Sequence, residues 1–257
     1  MHTQILLIIK YASAKVFMNI ARKKLLEIID QNSFKEYSKN IFTYNYLDFL
    51  NYDEKLDSAR TKSGEVEAVI IGTGSIASIK CMFVIFEPNF IMGSMGLIAG
   101  EKIARALKYA TRWKLPVISI SASGGARMQE GVVSLIQMAK VSAAVYKHSM
   151  KKLLNISIIS DPTLGGITAS FASLADIIIG EKGARYGFTG KRIIEETIRE
   201  KLPDDFQTVE YAKKYGMVDI VVEKDELKNI LTYLVTLHYK RGGNHRFFKF
   251  YKHNTSS

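Results

Sequence analysis

The chain of 257 residues carries 36 Lys and Arg against 25 Asp and Glu, a formal net charge of +11, with 47% hydrophobic and 24% charged residues. That balance is globular and long enough to bury a core, which excludes a disordered chain, and the single cysteine, Cys81, excludes a disulfide framework and a thiolate metal site. The most apolar N-terminal run, ILLIIKYASAKVF, is cut by Lys10 and Lys15, so it is too short to span a bilayer and lacks a signal-peptide layout. A reducing compartment is the simplest setting.

In chain order, Ala21 to Lys39 has helical spacing at Leu25, Leu26, Ile28 and Ile29 and then a polar break. Residues 42–64, FTYNYLDFLNYDEKLDSARTKSG, read as an irregular, surface-hugging connection. From Glu65 the pattern tightens. EVEAVIIGTG and ASIKCMFVIFE read as strands, and MGLIAGEKIARALKYATRW as a helix with Ile103, Leu107 and Ala110 on one face. Next come a strand LPVISIS, a helix ARMQEGVVSLIQMAKVSAAVYKH, a strand NISIIS, a helix GITASFASLA and a strand DIIIG. Such alternation predicts α/β architecture. Further on, Glu195 and Glu196 open EETIREKLPDD, which reads as a solvated helix face.

Three familiar motifs fail. GTGSIA (Gly72 to Ala77) matches a dinucleotide fingerprint, but the continuation SIKCMFVIF is strand-like, so a tight connection between two strands is favoured over a phosphate site. GFTGKR lacks the Ser or Thr of a P-loop, and Ser123 in SASGG has Ser121, not glycine, two residues before it, so there is no nucleophile elbow. The five histidines lie far in sequence from the glycine-rich stretches; His148, beside Lys147 at the end of a helix, reads as a surface cation, and no cluster has metal-ligand spacing.

Two glycine pairs remain: Gly124-Gly125 in SASGGARMQEG and Gly165-Gly166 in DPTLGGITASF, each after a strand and before a helix. A single pair is equally well explained by a tight turn. Two pairs in matching places point to function, because glycine lets a ligand oxygen approach the free amides of a helix's first turn without a Cβ in the way. Two such N–H groups aimed at one oxygen stabilise an enolate or a tetrahedral anion.

These stretches, with GSMGLIAGEKIARALKYA before them and ASLADIIIGEKGARYGFTGKRIIEETIREKLPDDFQTVEYAKKYGMVDIVV after them, resemble the carboxyltransferase β subunits of multisubunit acetyl-CoA carboxylase, bacterial or plastid. The likeness runs from about FMNIARKKLLEII to about His238. It implies a crotonase/ClpP-like superhelix of ββα units and transfer of a carboxyl group from carboxybiotin, held on a separate carrier protein, to acetyl-CoA, giving malonyl-CoA for fatty acid synthesis. The decarboxylated biotin can itself take the methyl proton, so no protein base is demanded. By the same resemblance Gly165 and Gly166 supply the oxyanion N–H groups, and Gly124, Gly125, Ala126 and Arg127 bind substrate. The implied partners are a carboxyltransferase α subunit in an α2β2 heterotetramer, the biotin carboxyl carrier protein and biotin carboxylase, in a bacterial cytoplasm or a plastid stroma and off the membrane.

The resemblance divides the chain into a short N-terminal segment (1–17), a carboxyltransferase domain (18–240) and a basic aromatic tail (241–257). Such subunits usually begin with a four-cysteine zinc ribbon; here MHTQILLIIKYASAKV stands in that place without cysteine, so no stoichiometric zinc is expected. A branch without the ribbon, a truncated start and a diverged role are the alternatives. After Glu226 the chain has no acid, and the tail interleaves Arg246, Lys249 and Lys252 with Phe247, Phe248, Phe250 and Tyr251, an arrangement able to stack on nucleic-acid bases. A solvated tail or a partner contact is the simpler reading, and attraction of CoA phosphates accounts for basicity equally well. β subunits of other biotin-dependent acyl-CoA carboxylases or of malonate decarboxylase, and a non-catalytic basic module, are the rival functions.

Overall fold

The computed structural model describes residues 19–242, so the N-terminal segment 1–17 and nearly all of the basic aromatic tail lie outside the described residues. Seven strands form one sheet whose spatial order is the chain order: β1 Lys35–Tyr37, β2 Val69–Ile76, β3 Ile79–Phe86, β4 Val117–Ser123, β5 Asn155–Thr163, β6 Ile177–Glu181 and β7 Ile220–Val222. The first three run antiparallel, and β3 to β7 run parallel. The described helices are α1 Ile20–Ile28, α2 Tyr52–Ser63, α3 Leu97–Trp113, α4 Gly131–Ser149, α5 Gly165–Ser170, α6 Lys191–Ile198, α7 Val209–Lys214 and α8 Leu227–Gly242.

CMFVIF carries no polar alternation because both faces of β3 are covered. Met82, Val84 and Phe86 join the core shared with α3 and α4, whereas Cys81, Phe83 and Ile85 join the core beneath α1 and α8. Short bridges, Met95 with Ala126, Thr163 with Tyr186 and Arg185 with Thr208, mark where the chain turns between a strand and the following element. The result is the α/β architecture predicted by the alternation of strands and helices.

Sequence and structure agree where periodicity is strong and part company elsewhere. The fingerprint-like GTGSIA lies within β2 and its turn: Ala77 and Ser78, both with positive φ, close a two-residue hairpin in which Ile76 faces Ile79. The helix at Ala21 stops at Ile28, and part of its polar continuation forms the edge strand β1. The connection 42–64 is not irregular throughout, since its second half is α2, with Tyr52, Leu56, Ala59, Arg60 and Ser63 buried. His148 is a correction too. It is fully buried, with Nδ1 3.1 Å from Thr111 Oγ1 and Nε2 3.4 Å from the Leu154 carbonyl. Burial lowers its pKa against the smaller opposing effects of Leu154 and Asp176, so it is a neutral link between α3, α4 and the loop beyond, not a surface cation.

Candidate active site

Because β4 and β5 are parallel neighbours, with Ser123 opposite Thr163, the loops that leave their C-terminal ends must meet. They meet at the glycines. A Cβ on Gly125 would lie 3.3 Å from both Gly165 Cα and Gly166 N, and one on Gly165 would lie 3.2 Å from Gly125 Cα. Gly125 (φ +111°) and Gly165 (φ +61°) adopt backbone conformations that side chains disfavour, so this approach requires glycine on conformational grounds as well. Leu164 N–H donates to the Ser123 carbonyl at 2.9 Å, and Thr163 Oγ1 donates to the Ser121 carbonyl at 2.8 Å, tying one loop to the other.

Most of the amides here are engaged. Gly124 N–H donates to the Met92 carbonyl (2.9 Å), Gly125 N–H to Ser123 Oγ (3.1 Å) and Arg127 N–H to the Met95 carbonyl (2.9 Å). Gly165 N–H donates to the carbonyls of Gly187 (3.2 Å) and Phe188 (2.9 Å). The Gly165 hydrogen, expected from the resemblance to face an oxyanion, is directed at these protein carbonyls. Among the described residues, the Ala126 and Gly166 N–H groups have no hydrogen-bond acceptor. They are close together, since a Cβ on Gly166 would sit 3.6 Å from the Ala126 Cβ and 3.0 Å from Met138 Sδ. The arrangement can therefore offer two backbone donors, one from each glycine loop, beside exposed Met92 and Phe188.

Arg127 does not face this opening. Its side chain is fully buried, Nη2 donating to Glu67 Oε1 (2.5 Å) and the Ser94 carbonyl (2.7 Å), and Nη1 lying 3.2 Å from Glu130 Oε1. Arg127 is expected from the resemblance to bind substrate; in the structure every arm of its guanidinium has a protein partner. Burial works to raise the Glu67 carboxyl pKa, but the charge and hydrogen bonds of Arg127 outweigh it and hold the group below the ordinary carboxylate range. Burial raises the Tyr52 hydroxyl, which donates to Glu130 Oε1 at 2.7 Å and stays protonated.

Sequence reasoning missed Glu67, Glu130, Tyr52 and the turn at Met92 to Gly96. Each is supplied by a different segment, so no local spacing announces the group. The only available signal is an acid, Glu67, at the polar head of the apolar run AVII.

Residues 22–246 match the carboxyl transferase domain family. The acetyl-coenzyme A carboxylase carboxyl transferase subunit beta of Desulforamulus reducens is 49% identical over 218 residues, covering 85% of this chain and 76% of that protein. The subunit of the same name from Clostridioides difficile is 48% identical over 220 residues, covering 86% and 78%. Among solved structures, transcarboxylase 12S with methylmalonyl-coenzyme A and methylmalonic acid bound superposes with a TM-score of 0.72 at 26% identity, over 84% of this chain but only 40% of that one. The Pseudomonas malonate decarboxylase MdcD-MdcE heterodimer superposes at 0.65 with 22% identity, over 84% and 86%, a likeness of fold alone. A domain match over most of the chain, together with near 50% identity to named β subunits, places the loops in a lineage: the chain belongs to the carboxyl transferase family, among the acetyl-coenzyme A carboxylase carboxyl transferase β subunits.

Proposed function

We propose that the chain forms one half of a carboxyltransferase site that moves a carboxyl group from carboxybiotin on a carrier protein to acetyl-CoA, with the Ala126 and Gly166 N–H groups holding a developing oxyanion. The observation that carries this reading is the convergence of the two glycine loops around two unengaged amides. Carboxybiotin supplies the activated carboxyl group. The chain's own task is electrostatic: amides fixed before the reaction stabilise negative charge on oxygen better than reorienting water does.

The apolar rim supports the proposed partner. Met128, in the turn before α4, and Val132, Leu135 and Ile136 in its first turns are exposed next to the first glycine loop, and an α subunit covering them would complete the cleft in an α2β2 assembly. Carrier protein and biotin carboxylase are the other components. No described helix is long and apolar enough to cross a membrane, and we assign the activity to bacterial cytoplasm or plastid stroma. A four-cysteine zinc ribbon does not fit this sequence, whose single cysteine is buried in β3 with its thiol pushed up to about 12 by burial, and no step is assigned to zinc.

The test is malonyl-CoA formation by the chain together with its α partner, carboxylated biotin carrier and acetyl-CoA. Turnover of acetyl-CoA supports the proposal. Turnover only of a larger acyl-CoA, or only decarboxylation of malonate, assigns the site to a related enzyme, and no turnover with any of them leaves a non-catalytic module.

A further inference from the structure

The Arg127 cluster joins three backbone segments that the sequence keeps apart. Glu67 lies just ahead of β2, Ser94 in the turn before α3, and Arg127 with Glu130 in the turn before α4. Besides its bonds to Glu67 and the Ser94 carbonyl, the guanidinium places Nε 3.3 Å from Ser94 Oγ and Nη1 3.4 Å from the Tyr52 hydroxyl, with Phe90 5.4 Å away under its face. Glu130 completes the link. Its Oε2 accepts the Leu97 N–H at the start of α3 (2.6 Å) and the Tyr46 hydroxyl (3.1 Å), and a Cβ on Gly96 would collide with its carboxylate.

A buried ion cluster of this kind is a poor source of stability, since well-packed apolar groups of the same volume often serve as well. What it does supply is one fixed arrangement of its segments. The segment it fixes bears on the site: Met95 N–H donates to the Gly125 carbonyl (2.8 Å) and Arg127 N–H to the Met95 carbonyl (2.9 Å). These two bonds bracket Ala126 in a single parallel bridge, which turns the Ala126 N–H away from Met95 and leaves it free.

We propose that Arg127 is a positioning residue for carboxyl transfer: clamped by Glu67 and Glu130, it aligns the Ala126 N–H with that of Gly166. This rests on the reading of those two amides as oxyanion donors. It assigns the buried arginine no contact with substrate and makes the loop before α4 part of the machinery through its backbone.

The experiment uses the assembled enzyme with its α partner and compares Arg127→Met, Arg127→Lys and Tyr52→Phe. Misplacing one donor should lower kcat for acetyl-CoA about 100-fold in Arg127→Met, in the range for losing one oxyanion donor, with KM changed by less than about threefold. Arg127→Lys keeps the charge but not the planar fork, and should remain impaired. Tyr52→Phe removes one hydroxyl from the cluster and should lower kcat several-fold, roughly, without changing assembly. Amide hydrogen exchange in peptides spanning 121–131 should quicken in Arg127→Met while 155–163 stays protected; exchange rising equally throughout would mean that the cluster serves stability alone and would overturn the proposal. So would kcat within about twofold of wild type in folded Arg127→Met, or, where that variant does not fold, in Tyr52→Phe. A wild-type enzyme that makes no malonyl-CoA would instead strike the function, and the exchange comparison would still decide whether Arg127 fixes the loop.

Discussion

Gly166 and Gly125 should answer a side chain differently, although both belong to the paired loops. At Gly166 a new Cβ meets Sδ of Met138, a flexible chain, at 3.0 Å, and the backbone φ is ordinary. Gly166→Val should therefore fold and assemble, yet lose about 10²- to 10³-fold in turnover with little change in acetyl-CoA affinity, as steady-state kinetics on the assembled enzyme would register. Gly125→Val, at φ +111° and against the Gly165 backbone, should fail to fold, visible as loss of a cooperative melt. Near-normal turnover by folded Gly166→Val would remove this amide from the mechanism. The glycine pairs were legible in the sequence because two adjacent glycines after a strand are uncommon without a reason. Which amides stay free was not, because the acceptors that take the others, Met92, Gly187 and Phe188, arrive from segments roughly 20 to 30 residues away along the chain. His148 supplies a pH signature. Burial holds its folded pKa below the ordinary 6.5, so its contribution is complete above that value and is lost as pH falls through 6.5 toward the lowered one, where only the unfolded chain takes up the proton. Wild type should lose more Tm between pH 7.5 and pH 5.5 than His148→Gln does, and equal losses would exclude His148 as the source.

Among the elements, α2 shows how a helix hides from pattern reading. Its buried positions, Tyr52, Leu56, Ala59, Arg60 and Ser63, follow helical spacing, but two of the five are polar, so the apolar stripe is broken. Arg60 is tolerated there because Nη2 donates to the Thr43 carbonyl at 2.5 Å, and Ser63 Oγ donates to the Ala59 carbonyl at 2.7 Å. The helix closes over a small core of Tyr52, Leu56, Ala59, Ala68 and Phe90, which abuts the Arg127 cluster. Leu56→Ala should cost about 2–4 kcal/mol in denaturant unfolding, the usual range for deleting a buried leucine. A cost below about 0.5 kcal/mol would mean that α2 is a loosely held strap. The strands from β2 to β6 were legible for the opposite reason. Each carries isoleucine or valine in a stretch that is mostly buried on both faces, and β3 adds Phe83 and Phe86, so local chemistry and tertiary demand agree.

Across the whole molecule, exposed apolar residues are scattered, and one group of them lies on the helix that follows the first glycine loop. Val132, Leu135 and Ile136 share one face of α4 and are 66%, 55% and 57% exposed, more than an isolated surface needs. Light scattering should find a defined α2β2 particle once the α subunit is added and little carboxylation by either chain alone. Leu135→Asp should abolish assembly without lowering the melting temperature of the single chain, because a charge on an exposed position disturbs only what docks there. Unchanged assembly would move the interface elsewhere. The coincidence of chain order and sheet order has a consequence for biosynthesis. No strand has to insert between two that are already paired, so each unit emerging from the ribosome finds its docking edge waiting. The loops after β4 and β5 can meet as soon as the segment near Phe188 is available to receive the Gly165 amide. The two glycine loops can thus meet during translation, before α8 is laid over the inner face of β2 and β3.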